Sequence, residues 1–507
     1  MSAAGPVYLD YAATTPVDPQ VAEAMGACLT LGGNFGNASS SHVFGRAAAA
    51  CIARARAQVA GLIGADAGEI VFTSGATESN NLAILGVARA NADRGRHLVT
   101  SRTEHKAVLD PCKHLAKEGF SVSYLTPERS GVVTPAAVAA ALRPDTQLVS
   151  LMYVNNETGV LQDIARIGAL CRERGVAFHS DCAQAAGKVA LDVGTLPLDF
   201  ASFTAHKLYG PKGVGALYVR RAARGLLQPV SFGGGQERAL RPGTLATHQI
   251  VGFGVACELA AQQLAAEGPR LTALRERLWG ALAALGGTHL NGAAAPRAPG
   301  ILNVSFEGVE GESLVTGLAG LAVSTGAACN SASADASYVL RALGRDPQLA
   351  ASSLRFSLGR FTQAADVDFA ANAVRHELAR LRALSPAAPA PGGAGEGGWW
   401  GALPGDTPVR GEAGGPGEEV WVRFRLLVAG DTVKDARFQA FGCPHTLEVA
   451  AGLCRELPGR TRAALVPGVP ADWAARYSVP VEKLGRLLVI EDALRECLLH
   501  WELRGRI

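Results

Sequence analysis

Between residues 69 and 220, short apolar runs alternate with amphipathic ones. Runs at 69–73, 97–101, 147–154, 176–181, 199–204 and 215–220 read as strands, and patterns such as 163–174 repeat with helical spacing between them. Strands alternating with helices predict a mainly parallel α/β sheet. Ala-rich helical stretches follow around 250–285. Segments 300–306 and 353–357 then predict strands of a smaller α+β lobe whose last helix runs over about 364–384. There the pattern breaks. Half of residues 385–418 are Gly or Pro, a composition that supplies no packed core and predicts a flexible linker. Globular patterning returns over 419–507, with β-type runs at 420–428 and 435–441 and helical patterns at 446–457 and 490–501. The expected organisation is a unit over 1–384, the linker 385–418 and a module over 419–507. Within the first unit, a large domain spans about 15–260, and the N-terminal segment with 261–384 makes the small lobe.

Composition narrows the function classes. A chain of 507 residues, 48% hydrophobic, can bury a full core, and its net charge of +3 is too mild to argue for nucleic acid. No basic run with interleaved aromatics is present, so nucleic acid is not expected as a ligand. Residues 1–6 carry neither a charged nor an apolar leader pattern, and longer apolar stretches are interrupted by Arg, Glu, Gly or Pro. The expectation is a cytoplasmic protein away from the membrane. Ten cysteines without a C-x-x-C pair predict a reducing compartment. Most read as small buried apolar residues, so a catalytic thiol has to be recognised by its surroundings.

Candidate chemistry gathers where strands are expected to end, the place at which open parallel sheets bind ligands. Lys207 closes the run Ser202-Phe203-Thr204-Ala205-His206-Lys207 and is followed at once by Leu208-Tyr209-Gly210-Pro211-Lys212-Gly213. A lysine held between a strand and a tight turn suits Schiff-base chemistry, for which pyridoxal phosphate is the usual cofactor. Thr73-Ser74-Gly75-Ala76-Thr77-Glu78 reads as strand, turn and helix start, so the N–H groups of Ala76 and Thr77 can hold a phosphate; an ordinary helix cap reads the same way. His105 follows another strand. Asp181 and Gln184 follow a third, and an acid facing a pyridine nitrogen keeps it protonated. Cys329 lies in Gly326-Ala327-Ala328-Cys329-Asn330-Ser331-Ala332-Ser333, small polar residues that predict an exposed loop carrying a mobile thiol. Arg355 offers a bidentate fork for a carboxylate, with a structural ion pair as the alternative.

These motifs, with Asn155-Asn156-Glu157-Thr158-Gly159, Gly233-Gly234-Gly235-Gln236-Glu237 and Arg241-Pro242-Gly243-Thr244, resemble the cysteine desulfurases of the NifS/IscS type over about residues 6–384. The resemblance implies a pyridoxal phosphate enzyme of fold type I. It implies that Lys207 joins the cofactor, His105 stacks on its ring and moves protons, Asp181 pairs with the ring nitrogen, and Gln184 bonds the ring hydroxyl. Phosphate is then held by Ala76, Thr77, Thr204 and His206, with Thr244 supplied by a neighbouring subunit of a homodimer. Asn156 and Arg355 hold the substrate carboxylate, and Cys329 takes sulfur from L-cysteine as a persulfide. The implied product is L-alanine, the sulfur going to acceptor or scaffold proteins for iron–sulfur clusters or other thio-cofactors. A selenocysteine lyase or a small-molecule aminotransferase of the same fold is the alternative, and Cys329 argues against a transaminase.

Residues 419–507 resemble iron–sulfur scaffold proteins of the NifU/IscU type through Asp435-Ala436-Arg437-Phe438-Gln439-Ala440-Phe441-Gly442-Cys443-Pro444 and Ile490-Glu491-Asp492-Ala493-Leu494. Such scaffolds ligate a cluster with three cysteines and an Asp. Only Cys443 is kept here, Glu418 and Gly485-Arg486 standing near the other positions, so the ligand set for a cluster is incomplete and Cys443 is at most one metal ligand. Cys454 and Cys497 fall in helical patterns and read as core. The module is expected either to accept sulfur on Cys443 or to act as a docking or dimerisation element.

Overall fold

The computed structural model describes residues 5–309, 311–318, 320–325, 337–384, 409–414, 420–466, 468–479 and 483–504. Its central sheet has seven strands: β1 (Ile70–Thr73), β2 (His97–Ser101), β3 (Ser121–Leu125), β4 (Thr146–Ser150), β5 (Ala177–Asp181), β6 (Phe200–Thr204) and β7 (Gly215–Val219). The order is β1-β7-β6-β5-β4-β2-β3. All pairings from β6 to β3 are parallel, and β7 runs antiparallel between β6 and β1. Strands β1, β2, β5, β6 and β7 are buried along their whole length, which is why they read as continuous apolar runs. Strand β3 escapes that signal, because at the sheet edge its Ser-Val-Ser-Tyr-Leu is only partly covered.

Helices α1 (Ala76–Ala90), α2 (Lys106–Lys117) and α3 (Ile164–Glu173) belong to the connections between these strands, and Asp163 caps α3 by accepting from Arg166 N at 3.1 Å. Helix α4 (Thr247–Ala283) then ties two cores together. Ile250, Phe253 and Cys257 pack into the large-domain core, while Leu271, Leu278 and Leu282 pack into the small lobe. That lobe is an antiparallel sheet of β8 (Thr288–Leu290), β9 (Ile301–Phe306), β10 (Ser324–Thr325) and β11 (Ser353–Ser357) in the order β10-β11-β9-β8. Helices α5 (Gly311–Gly317) and α6 (Ala364–Leu384) join it. The N-terminal Val7–Tyr8 pairs with Leu321–Ala322, Leu9 enters the lobe's core, and Ala12 enters the large one.

The stretch predicted as linker through residue 418 departs from that expectation. Val409–Gly414 is a strand, β12, pairing antiparallel with β13 (Trp421–Ala429), which pairs with β14 (Thr432–Phe441). Gly411 explains the misreading: a Cβ there would lie 2.0 Å from the carbonyl oxygen of Ala493 in helix α8 (Leu484–Arg504). It is a packing glycine rather than a flexible one. The sheet, helix α7 (Pro444–Glu456) and α8 enclose a core of their own around Phe424, Leu426, Leu453, Ile490 and Trp501. Ser313 Oγ of the lobe donates to the carbonyl oxygen of Gly442 at 3.1 Å. The nine cysteines among the described residues are buried and unpaired by disulfides, and Cys329 lies outside the described residues. No described helix is long and apolar enough to cross a membrane.

Candidate active site

The carboxyl ends of β1, β2, β5 and β6 open into one cleft of about 570 Å³. Its walls carry Ala76, Thr77, His105, Asn156, Asp181, Gln184, Thr204, His206, Lys207 and Arg355, residues that the sequence spreads over almost 280 positions. Thr244 does not join them: it is exposed on its loop. Cys443 is buried in the C-terminal module, its Sγ 3.3 Å from Thr446 Oγ1.

Lys207 ends a single 3₁₀ turn, Ala205–Lys207, that continues β6. The backbone reverses beyond it through Tyr209 (φ 67°) and Gly213 (φ 82°), so the side chain points back into the cleft instead of along a strand. Its Nζ donates to the carbonyls of Ala12 and Ala13, the latter at 3.0 Å. Next to it, burial, reinforced by Lys207, Lys212 and Lys188, pushes His206 down to about 4. His206 is therefore neutral near pH 7, with Nδ1 3.2 Å from Thr14 Oγ1.

At one end of the cleft, helix α1 starts from Gly75, whose φ of +157° favours glycine. Gly215 must be glycine as well, because a Cβ there would meet Gly75 Cα at 2.6 Å. This close approach turns the first N–H groups of α1 toward a wall that also carries Thr204 and Lys212, a setting for an anion. Arg241 pairs with Glu78 at 2.9 Å and so fastens the loop of Thr244 beside the cleft. Burial raises the Glu78 carboxyl, but Arg241 and Ser74 outweigh it and hold it below the usual range.

At the other end, Asp181 accepts from Asn80 Nδ2 at 2.7 Å and from Ala183 N at 2.9 Å. Gln184 gives Nε2–H to the carbonyl of Ala12 at 2.8 Å, and its Oε1 accepts from Lys188 Nζ at 2.8 Å. His105 caps α2, with Nδ1 accepting from Ala107 N at 3.1 Å, which leaves the neutral ring's proton on Nε2. Arg355 is fixed by Asp10 at 2.8 Å and by the carbonyl of Asn156 at 2.9 Å, so an ion pair does form there. Even so, its Nε, together with Asn156 Oδ1 and Asn80 Oδ1, is buried along the cleft without a protein partner. Buried polar atoms take partners, and three of them around one cavity point to a polar ligand.

Pyridoxal phosphate fits this donor set, with an amine for its aldehyde, a carboxylate for its ring nitrogen, an amide for its ring oxygen and a helix start for its phosphate. Sequence reasoning missed Asn80, which orients Asp181 from the first turns of α1. It also missed Asp10, whose partner is 345 residues away, and Lys188, which no local pattern distinguishes. Glu157 was quoted only as part of a motif; here it accepts from Ser337 Oγ at 2.5 Å, and burial pushes its carboxyl up to about 7 against Ser337, Arg355 and His105.

The aminotransferase class-V family matches residues 7–369. The chain is 57% identical over 382 residues to the cysteine desulfurase IscS of Azotobacter vinelandii, covering 75% of this chain and 95% of that protein. It is 56% identical over the same length to the cysteine desulfurase IscS of Pseudomonas aeruginosa, with the same coverage. Among solved structures, a NifS-like protein superposes with a TM-score of 0.69 at 35% identity, covering 74% of this chain and all of the other. SspA in complex with cysteine gives a TM-score of 0.63 at 39% identity, with 69% and 98% covered.

Proposed function

We propose, from the premise that the chain belongs to the class-V aminotransferase family and is a pyridoxal phosphate-dependent cysteine desulfurase of the IscS/NifS type, that the Lys207 cleft is where L-cysteine is desulfurated. What carries this reading is the convergence of Lys207, His105, Asp181, Gln184 and Arg355 on one cavity. Bound there, pyridoxal phosphate supplies an electron sink for the bond changes at the substrate's Cα.

The chain's own groups do the rest. Lys207 would hold the cofactor through its Nζ and would serve as the base for the Cα proton. Asp181, oriented by Asn80, keeps a proton on the ring nitrogen. Gln184 would donate to the ring oxygen, and His105, whose neutral ring carries its proton on Nε2, would cover the ring and move protons. Ala76 and Thr77 at the start of α1, with Thr204 and His206, hold the phosphate. Arg355 and Asn156 take the substrate carboxylate, Arg355 through an Nε left without a protein partner and Asn156 through its amide N–H. Cys329 attacks the substrate sulfur as a thiolate, so that a sulfur–sulfur bond forms as the carbon–sulfur bond breaks. The balance is L-cysteine and thiol to L-alanine and persulfide.

Thr244 serves the cleft of a second subunit in a homodimer. Its exposure, and that of Phe232 in the same loop at 85%, supports this reading. The C-terminal module is a scaffold-like domain that receives sulfur on Cys443, and the bond from Ser313 to the carbonyl of Gly442 supports its seating against the small lobe. Among the described residues no group of three His, Cys, Asp or Glu is arranged to hold a metal ion. The deciding experiment measures alanine and sulfide from L-cysteine with and without residues 385–507. Equal alanine formation by both forms supports the cleft as the site; loss of alanine on truncation overturns it. Persulfide on Cys443 by mass spectrometry after turnover tests the relay, and its absence removes it.

A further inference from the structure

The side chain of Gln184 is held at both ends before any cofactor is considered. Its Nε2 uses one hydrogen on the carbonyl of Ala12 at 2.8 Å, and its Oε1 accepts from Lys188 Nζ at 2.8 Å. An amide has two donors on nitrogen and acceptors only on oxygen, so fixing the oxygen decides which end faces a ligand. With the oxygen turned to Lys188, the second N–H of Gln184 remains for the cleft that the residue lines.

Lys188 is well placed for this. It lies four residues beyond Gln184, its backbone N–H is tied to the carbonyl of Ala185 at 3.0 Å, and it lines an internal cavity behind the cleft together with Lys207, Tyr11, Tyr209, Glu267 and Arg360. In its charged form Lys188 can only donate, so the Gln184 amide cannot then reverse without setting its NH₂ against an ammonium, and its oxygen against the Ala12 carbonyl. Burial, with Lys207 and Arg355 adding repulsion and Glu267 opposing, pushes Lys188 down to about 7.

We propose that Lys188 is a positioning residue for the cofactor: it locks the Gln184 amide so that nitrogen, not oxygen, meets the ring oxygen of pyridoxal phosphate. The inference rests on the assignment of Gln184 to that ring oxygen. A donor there draws negative charge onto the ring oxygen and lowers the pH at which the lysine-bound cofactor loses its proton. Freed from Lys188, the amide keeps only its bond to the Ala12 carbonyl, its second N–H is aimed less firmly at the ring oxygen, and the proton is held to higher pH.

The test is a pH titration of the visible absorbance of the bound cofactor in the holoenzyme, for the parent, Lys188→Met, Gln184→Ala and the double variant. Lys188→Met is expected to raise the midpoint by about one unit, the size of one hydrogen bond to a charged group. In the Gln184→Ala background the same substitution is expected to add less than about a third of that, because coupled residues are not additive. A full shift in both backgrounds overturns the proposal, since Lys188 would then act as a bare charge. An unmoved midpoint in Lys188→Met, beside a moved one in Gln184→Ala, also overturns it. An unmoved midpoint in Gln184→Ala removes the underlying assignment instead. If the methionine variant does not fold, Lys188→Gln, which keeps a neutral donor, carries the question. A midpoint nearer the parent than Gln184→Ala supports the lock, and a midpoint at or above it overturns it.

Discussion

The cleft of the large domain and the core of the C-terminal module treat reactive groups in opposite ways. In the cleft, buried charged and polar side chains are held in pairs: Asp181 with Asn80, and Arg355 and Gln184 with the half-buried Asp10 and Lys188. Each keeps an atom or a hydrogen for a ligand. In the module, two of the three thiols are packed as hydrocarbon. Burial pushes Cys454 up to about 12 and raises Cys497 as well, and both sit in the core of Phe424 and Leu453. The third, Cys443, caps helix α7 at the face toward the lobe. Burial by itself therefore says little about chemistry. What separates a reactive buried group from an inert one is whether its neighbours satisfy the charged form.

That contrast can be broken in four places. Replacing Lys207 with Ala is expected to lower alanine formation from L-cysteine at least about 1,000-fold and to abolish the lysine-bound cofactor absorbance, as assay and spectrum will report. Cys329→Ser separates the thiol from the cofactor site. Desulfuration is expected to fall at least about 100-fold while the absorbance is kept, and a serine variant releasing sulfide at the parent rate removes Cys329 from its role.

Gly411→Ala probes the module alone. Its new methyl group meets the backbone of α8, so the module is expected to lose about 3 kcal/mol, visible as an earlier unfolding transition with alanine formation unchanged. Glu157→Gln sharpens the comparison on the cleft side. The carboxyl is raised from the usual 4.5 to about 7, so the folded state holds its proton more tightly than the unfolded one. Stability present below about pH 4.5 is lost as the pH rises toward 7. Relative to Glu157→Gln, the parent is expected to weaken across that window by on the order of 3 kcal/mol in denaturant titrations.

The alternation of strand and helix was legible in the chain because both faces of the main sheet are covered, and the run at 353–357 is β11 itself. Strand ends also gave the positions of Lys207, His105 and Asp181, since a reacting group after a buried strand has little choice of place. Strand β12 was not legible: six residues in a Gly/Pro-rich stretch carry no pattern of their own, and only pairing with β13 and contact with α8 make them a strand.

The order of residues by itself determined which side chains can do chemistry, because a lysine at a strand end or a thiol among small polar residues is a local fact. Only the tertiary structure decided which atoms remain to do it. Arg355 meets Asp10 across 345 positions, and Asn80 meets Asp181 across 101. Lys188, four residues from Gln184, gains its meaning when Ala12 arrives from the N-terminus to hold the other end of the same amide. Hydrogen-bond satisfaction is a property of the assembled interior, and no window of sequence contains it.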